Sequence, residues 1–191
     1  MKDRAGMFTK SRVLITLLVS TALVLTSNPS QAVWQFDSEN DRSGISAYAA
    51  TYWAQGYGPV SLSRLMNLDM EESDLWGILT LSCQRRSLRA SIGLYQAGSG
   101  NDSIRLDNPG YVTITLNSTA AKRYRTTGSD SPDTFFLAQT DSKNLARAIL
   151  SRSYLSISPR IKYSNKRVNM LFDVTSLSKG KTRFRYAGCT L

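Results

Sequence analysis

The 191-residue chain contains no histidine. That absence excludes a Ser-His-Asp triad, a Cys-His dyad, a His-based nuclease and a His-ligated zinc site within the chain. Only two cysteines and five prolines occur, and acids are in the minority, 14 Asp+Glu against 24 Lys+Arg, a net +10. A glycine-rich phosphate loop, a Gly-x-Ser-x-Gly elbow and a spaced Asp/Asn-Gly calcium loop are missing as well. Ser176-Leu177-Ser178-Lys179 spells Ser-x-x-Lys, but its companion elements Ser-Asp-Asn and Lys-Thr-Gly are absent, so the tetrad reads as the start of a helix. Asp102 and Asp107 bracket Arg105, an arrangement that reads as a surface ion pair. A glycosidase needs two acids about 5–10 Å apart in a cleft, and the scattered carboxylates do not point to such a pair. No cofactor and no metal site is implied.

Long apolar runs are also missing, except at the start. Lys2, Arg4, Lys10 and Arg12 precede an uncharged stretch whose apolar heart, Val13 to Leu25, spans 13 residues. Asn28 and Pro29 break it, and Ser30-Gln31-Ala32 gives the small-x-small cleavage pattern of a secretory signal peptide. Thirteen helical residues cover about 20 Å, short of the roughly 30 Å hydrocarbon core, which argues against a retained anchor. The expected division is therefore 1–32 signal peptide and 33–191 a single exported, mainly-β domain. The mature chain keeps 20 basic and 13 acidic side chains, a net +7, and no segment able to span a membrane. A periplasmic or secreted product follows.

Both cysteines, Cys83 and Cys189, fall in the mature part. An oxidising compartment makes a disulfide the default for such a pair, closing a loop of about 106 residues worth roughly 4–5 kcal/mol in chain entropy. The competing reading is a pair of free or reactive thiols, although no Cys-x-x-Cys spacing supports it.

What is present in quantity is alternation. Leu79, Leu81 and Cys83 alternate with Thr80 and Ser82, and Leu88, Ala90, Ile92 and Leu94 with Arg89, Ser91 and Gly93. Ile104 and Leu106 flank Arg105; Val112, Ile114 and Leu116 form a third set, and Val168, Met170, Phe172 and Val174 a fourth. Period 2 is the signature of half-buried strands, and turn signals at Gly98–Asp102, Asn108-Pro109-Gly110 and Gly128–Pro132 separate them. One segment has helical spacing: Asp141 as N-cap, with Leu145, Ala148 and Ile149 on one face. A second short helix can begin near Ser176. The expected fold is mainly β, a compact antiparallel sandwich or barrel with one or two short helices and one disulfide.

Charge is distributed unevenly. Val33 to Trp76 carries seven acids and two bases, whereas Gly77 onward carries eighteen bases and six acids. The bases cluster as Arg85-Arg86 with Arg89, Lys122-Arg123 with Arg125, Lys166-Arg167, and Lys181, Arg183, Arg185, interleaved with Tyr124, Tyr163, Phe184 and Tyr186. On strands, Arg183 and Arg185 would share a face opposite Phe184 and Tyr186. A binding surface made of Arg85, Arg86, Arg89, Lys122, Arg123, Arg125, Arg183 and Arg185 competes with an ordinary solvated face. Its partner would be an envelope or secretion-system protein or an anionic envelope polymer; nucleic acid has the least support.

The order of these elements resembles small exported proteobacterial proteins of the TagO/VasI type, accessory to type VI secretion, and more loosely the invasion-associated locus B proteins. The residues that carry the resemblance are Trp34, the Leu79-Thr80-Leu81-Ser82-Cys83 strand, the alternating Leu88–Tyr95 strand, Arg105-Leu106-Asp107, Phe135-Phe136 before the Leu145–Leu150 helix, Phe172-Asp173-Val174-Thr175-Ser176-Leu177, and the terminal Cys189. Ser176 stands where that family prefers glycine, and Tyr111 is the nearest aromatic where it has a tryptophan. The resemblance implies a periplasmic, disulfide-bonded β domain without catalytic residues, serving an envelope machine or a host-contact surface. The expected function is a non-catalytic accessory or binding protein of the bacterial envelope, assisting a secretion system or host contact. A secreted hydrolase of cell-wall or polysaccharide substrates, working with carboxylates alone, is the alternative of a different class. A purely structural envelope component is a third.

Overall fold

The computed structural model describes residues 34–41, 44–98, 105–107, 110–128, 131–164 and 166–191. The expected export segment, Arg42, Asp102, Ile104 and parts of the three expected turns lie outside the described residues.

Strands β1 (Gln35–Asp41), β2 (Gly44–Ala54) and β3 (Gly58–Val60) come first, followed by helix α1 (Leu62–Met66). The long hairpin of β4 (Leu75–Gln84) and β5 (Ser87–Gln96) leads to β6 (Tyr111–Leu116), β7 (Lys122–Thr127) and β8 (Thr134–Leu137). Helix α2 (Gln139–Ile149), β9 (Tyr154–Ile157), β10 (Met170–Asp173), a 3-10 turn (Leu177–Gly180) and α3 (Lys181–Tyr186) complete the described chain. The strands form one antiparallel sheet in the order β1-β2-β4-β5-β8-β7-β6-β9-β10, with β3 attached to β2. The sheet curls into a half-barrel, which bears out the mainly-β expectation and its disulfide.

Alternation explains the centre of the sheet. Register pairs Leu79 with Ile92, Leu81 with Ala90 and Cys83 with Leu88, so both strands of the β4–β5 hairpin turn their apolar set to one face. All six are buried. Next door, β2 sets Ala47 opposite Cys83 and Ala49 opposite Leu81. From Thr51 to Ala54 this strand is buried on both faces, because Tyr52, Ala54, Val60 and Leu65 make a second, smaller core beneath α1 and β3.

Side chains of β10 lie close over Gly77: a Cβ there would be 2.5 Å from Met170 Sδ and 3.3 Å from the Phe172 ring, so a side chain at 77 would force them to shift. Between β2 and β10, Thr51 Oγ1 donates to the Asp173 carbonyl at 3.0 Å. Met170, Phe172 and Val174 point inward, as their alternation requires.

Helix α2 begins at Gln139 with Ala138 at its N-cap, three residues earlier than the Asp141 cap expected from the sequence. Leu137 still pairs with Thr126 on β7, so the chain turns from strand to helix at once, and Ser142 N–H already reaches the Ala138 carbonyl at 2.8 Å. Asp141 instead accepts the Arg125 backbone N–H at 2.5 Å, which is why an acid sits there. Ser142, fully buried, donates to the Leu137 carbonyl (3.1 Å) and accepts the Ala90 N–H (3.0 Å). It satisfies a β5 amide just beyond the reach of β8.

The segment from Leu177 onward also differs from the strand expected around Arg183 and Arg185. It forms the 3-10 turn and α3, with Leu177, Phe184 and Ala187 buried at helical spacing. The helix ends in a Schellman motif: Gly188 N–H donates to Arg185 O (2.9 Å) and Cys189 N–H to Phe184 O (2.8 Å), with Gly188 at φ +83°. This delivers Cys189 to Cys83, with Cα atoms 6.0 Å apart and both residues buried. Among the described residues no helix is long and apolar enough to cross a membrane.

A basic cleft as candidate functional site

On β6 and β7, Thr113 pairs with Arg123 and Tyr111 with Arg125. Val112, Ile114, Tyr124 and Thr126 are buried while Tyr111, Thr113, Arg123 and Arg125 are exposed, so these four share the outer face of the hairpin. Arg123 lies over the Tyr111 ring, its guanidinium carbon 4.7 Å from the centroid, a cation–π contact that holds a long side chain against the sheet. Beneath it the Tyr124 hydroxyl has its pKa raised, chiefly by burial and then by Asp141, so this ring stays neutral.

A second hairpin meets this face. Arg160 and Arg167 are directly opposed in an isolated antiparallel bridge, and Leu106 bridges Ile161. Asp107 N–H donates to Arg160 O at 2.9 Å and Lys162 N–H to Arg105 O at 2.7 Å, which pins the Arg105–Asp107 segment along the hairpin. Between the two hairpins opens a cavity of about 430 Å³. Arg123, Arg160 and Arg167 line it together with Tyr111 and one carboxylate, Asp107; Val112, Phe135 and Pro159 supply its apolar surface.

The eight basic residues singled out in the sequence therefore separate. Arg123 alone belongs to this cleft. Arg125 is exposed on the same strand, and the Lys122 ammonium lies 5.5 Å from the Tyr124 ring centroid. Arg89 sits 6.0 Å from the Phe136 ring and lines a different cavity of about 330 Å³ with Ser87 and Gln139. Arg85 and Arg86 form the tip of the β4–β5 hairpin with φ of 49° and 64°. Arg183 donates to the Phe36 carbonyl on β1 at 3.2 Å, covering an edge strand, and Arg185 lies in the last turn of α3.

The face expected to join Phe184 and Tyr186 does not exist. Phe184 is fully buried and Tyr186 is 73% exposed, because a helix and not a strand carries them. In exchange the structure adds Arg160, which the sequence reading passed over, and Arg167, which it saw only as half of Lys166-Arg167. Their signal was the symmetric placement of two arginines around one short hairpin.

Among the described residues, no group of three or more His, Cys, Asp or Glu side chains is placed to hold a metal ion. Comparison with known proteins gives no match to a protein family, to a curated protein or to a solved structure.

Proposed function

We propose that the chain is an exported, non-catalytic binding protein of the bacterial cell envelope, seating acidic groups of an anionic envelope polymer in the cleft of Arg123, Arg160 and Arg167. The observation that carries this reading is that three arginines and, among the described residues, one carboxylate line the same cavity. Guanidinium forks suit carboxylate and phosphate oxygens, and a cleft with apolar walls strengthens their field. A periplasmic or secreted location is supported by the basic-apolar start with its Ser30-Gln31-Ala32 pattern and by the buried Cys83–Cys189 bridge. The resemblance to TagO/VasI-type proteins points the same way. Carboxylate-only hydrolysis has less support, since among the described residues Asp107 has no second acid beside it in the cleft lining.

A second reading, a protein contact within a secretion machine, is favoured by one feature. Arg85 and Arg86 occupy both central positions of a turn that Asn-Gly would fill without strain. Exposed arginines held in a left-handed backbone offer a contact point for an acidic partner.

The polymer reading is tested by titrating the exported protein with lipopolysaccharide at several salt concentrations, with dextran as neutral control. Binding that weakens steadily with salt, falls at least tenfold in Arg123→Ala/Arg167→Ala and is absent for dextran is the expected result. Unchanged affinity in the double variant removes the cleft from the account.

A further inference from the structure

The geometry points to a phosphomonoester as the group this cleft selects, carried on a sugar-sized body; the inference rests on the anion-binding reading above and narrows its ligand. Charge decides the first step. Among the described residues, Arg123, Arg160 and Arg167 against Asp107 leave the lining with a formal excess of two positive charges. A phosphomonoester carries about −1.5 to −2 near neutral pH and offers three strong acceptor oxygens, whereas a sugar carboxylate carries one charge and two oxygens.

Orientation decides the second. Arg160 and Arg167 are cross-strand partners, so both side chains leave the hairpin on the same side, about 5 Å apart at Cβ. Two like charges so placed repel unless an anion lies between them. Arg123, with its guanidinium against the Tyr111 ring, keeps its N–H edge available for a third oxygen. The remaining lining is apolar at Val112, Phe135 and Pro159, where the face of a sugar ring can lie. A cavity of about 430 Å³ is of the size that small-ligand sites have, roughly 300–1,000 Å³.

Two sources present this group: the phosphorylated headgroup of an envelope glycolipid and a free sugar phosphate. Calorimetric titration of the exported protein with glucose 1-phosphate, its methyl phosphodiester and glucuronic acid separates charge from shape. The expected result is monoester binding at least tenfold tighter than either monoanion, with that preference lost in Arg167→Gln and in Arg160→Gln while their thermal melts stay in place. Equal affinity for all three overturns the inference, and the anion-binding reading survives if lipopolysaccharide still binds in a salt-dependent way. Failure of every probe, lipopolysaccharide included, overturns both. If intact but not phosphatase-treated lipopolysaccharide displaces glucose 1-phosphate, the headgroup is the source; if neither form displaces it, a soluble sugar phosphate is.

Discussion

Arg160 and Arg167 face each other across an antiparallel bridge at the wall of the cleft. Like charges at directly opposed strand positions destabilise a sheet, by up to about 1 kcal/mol. Arg167→Ala is therefore expected to leave stability in urea unchanged or to raise it by about 0.2–1 kcal/mol, while weakening anion binding. A residue kept for folding would give the opposite pair of results, lost stability with binding intact.

The hairpin tip gives a second test of strain retained for contact. Replacing Arg85-Arg86 by Asn-Gly puts residues suited to positive φ where φ is 49° and 64°. A gain of about 1 kcal/mol in thermal or urea unfolding is expected. Part of that gain is offset, because the Arg86 stem packs beside Gly188. A clear loss of stability would mean that the arginine side chains hold the tip in place.

Two neighbouring positions in the C-terminal turn should respond with opposite signs. Ser176 has φ +65°, a left-handed conformation that costs a side-chain-bearing residue about 1 kcal/mol, so Ser176→Gly is expected to stabilise by about that amount. At Gly180 an added Cβ would lie 2.3 Å from the Phe36 ring, and Gly180→Ala is expected to cost about 1–3 kcal/mol. Paired urea melts decide both, and a shared sign for the two variants would contradict the docking of this turn on β1.

The disulfide closes 106 residues of chain and ties the end of β4 to the end of α3. Cys83→Ala/Cys189→Ala is expected to lose roughly 4–5 kcal/mol, the chain-entropy value for a loop of this size. Dithiothreitol should shift the wild-type melt towards that of the double variant and leave the variant unmoved.

How far the sequence reached depended on which force shaped each element. The β4–β5 hairpin was legible because one face is buried and the other is not, so Leu79 to Leu94 alternate cleanly. Strand β2 was not: it is buried on both faces from Thr51 to Ala54, and alanines at 47, 49, 50 and 54 leave no period to read. Around Phe184 the local pattern of arginine and aromatic fits a strand equally well. Tertiary contacts decide for helix there, with Leu177, Phe184 and Ala187 reaching the core and Gly188 closing the last turn. The cleft was hidden for a different reason. Arg123 belongs to one hairpin and Arg160 and Arg167 to another, and only the pairing of β6 with β9 brings them to one cavity.

The central claim is one of place, and amide chemical-shift mapping tests it most directly. The nitrogen-15-labelled protein would be titrated with glucose 1-phosphate, the phosphomonoester probe. Shifts confined to Tyr111–Thr113, Arg123, Ser158, Arg160 and Arg167 are the expected result. Shifts centred on Arg85, Arg86 and the exposed side of α3, with the cleft silent, would contradict the account and move the binding surface to the hairpin tip.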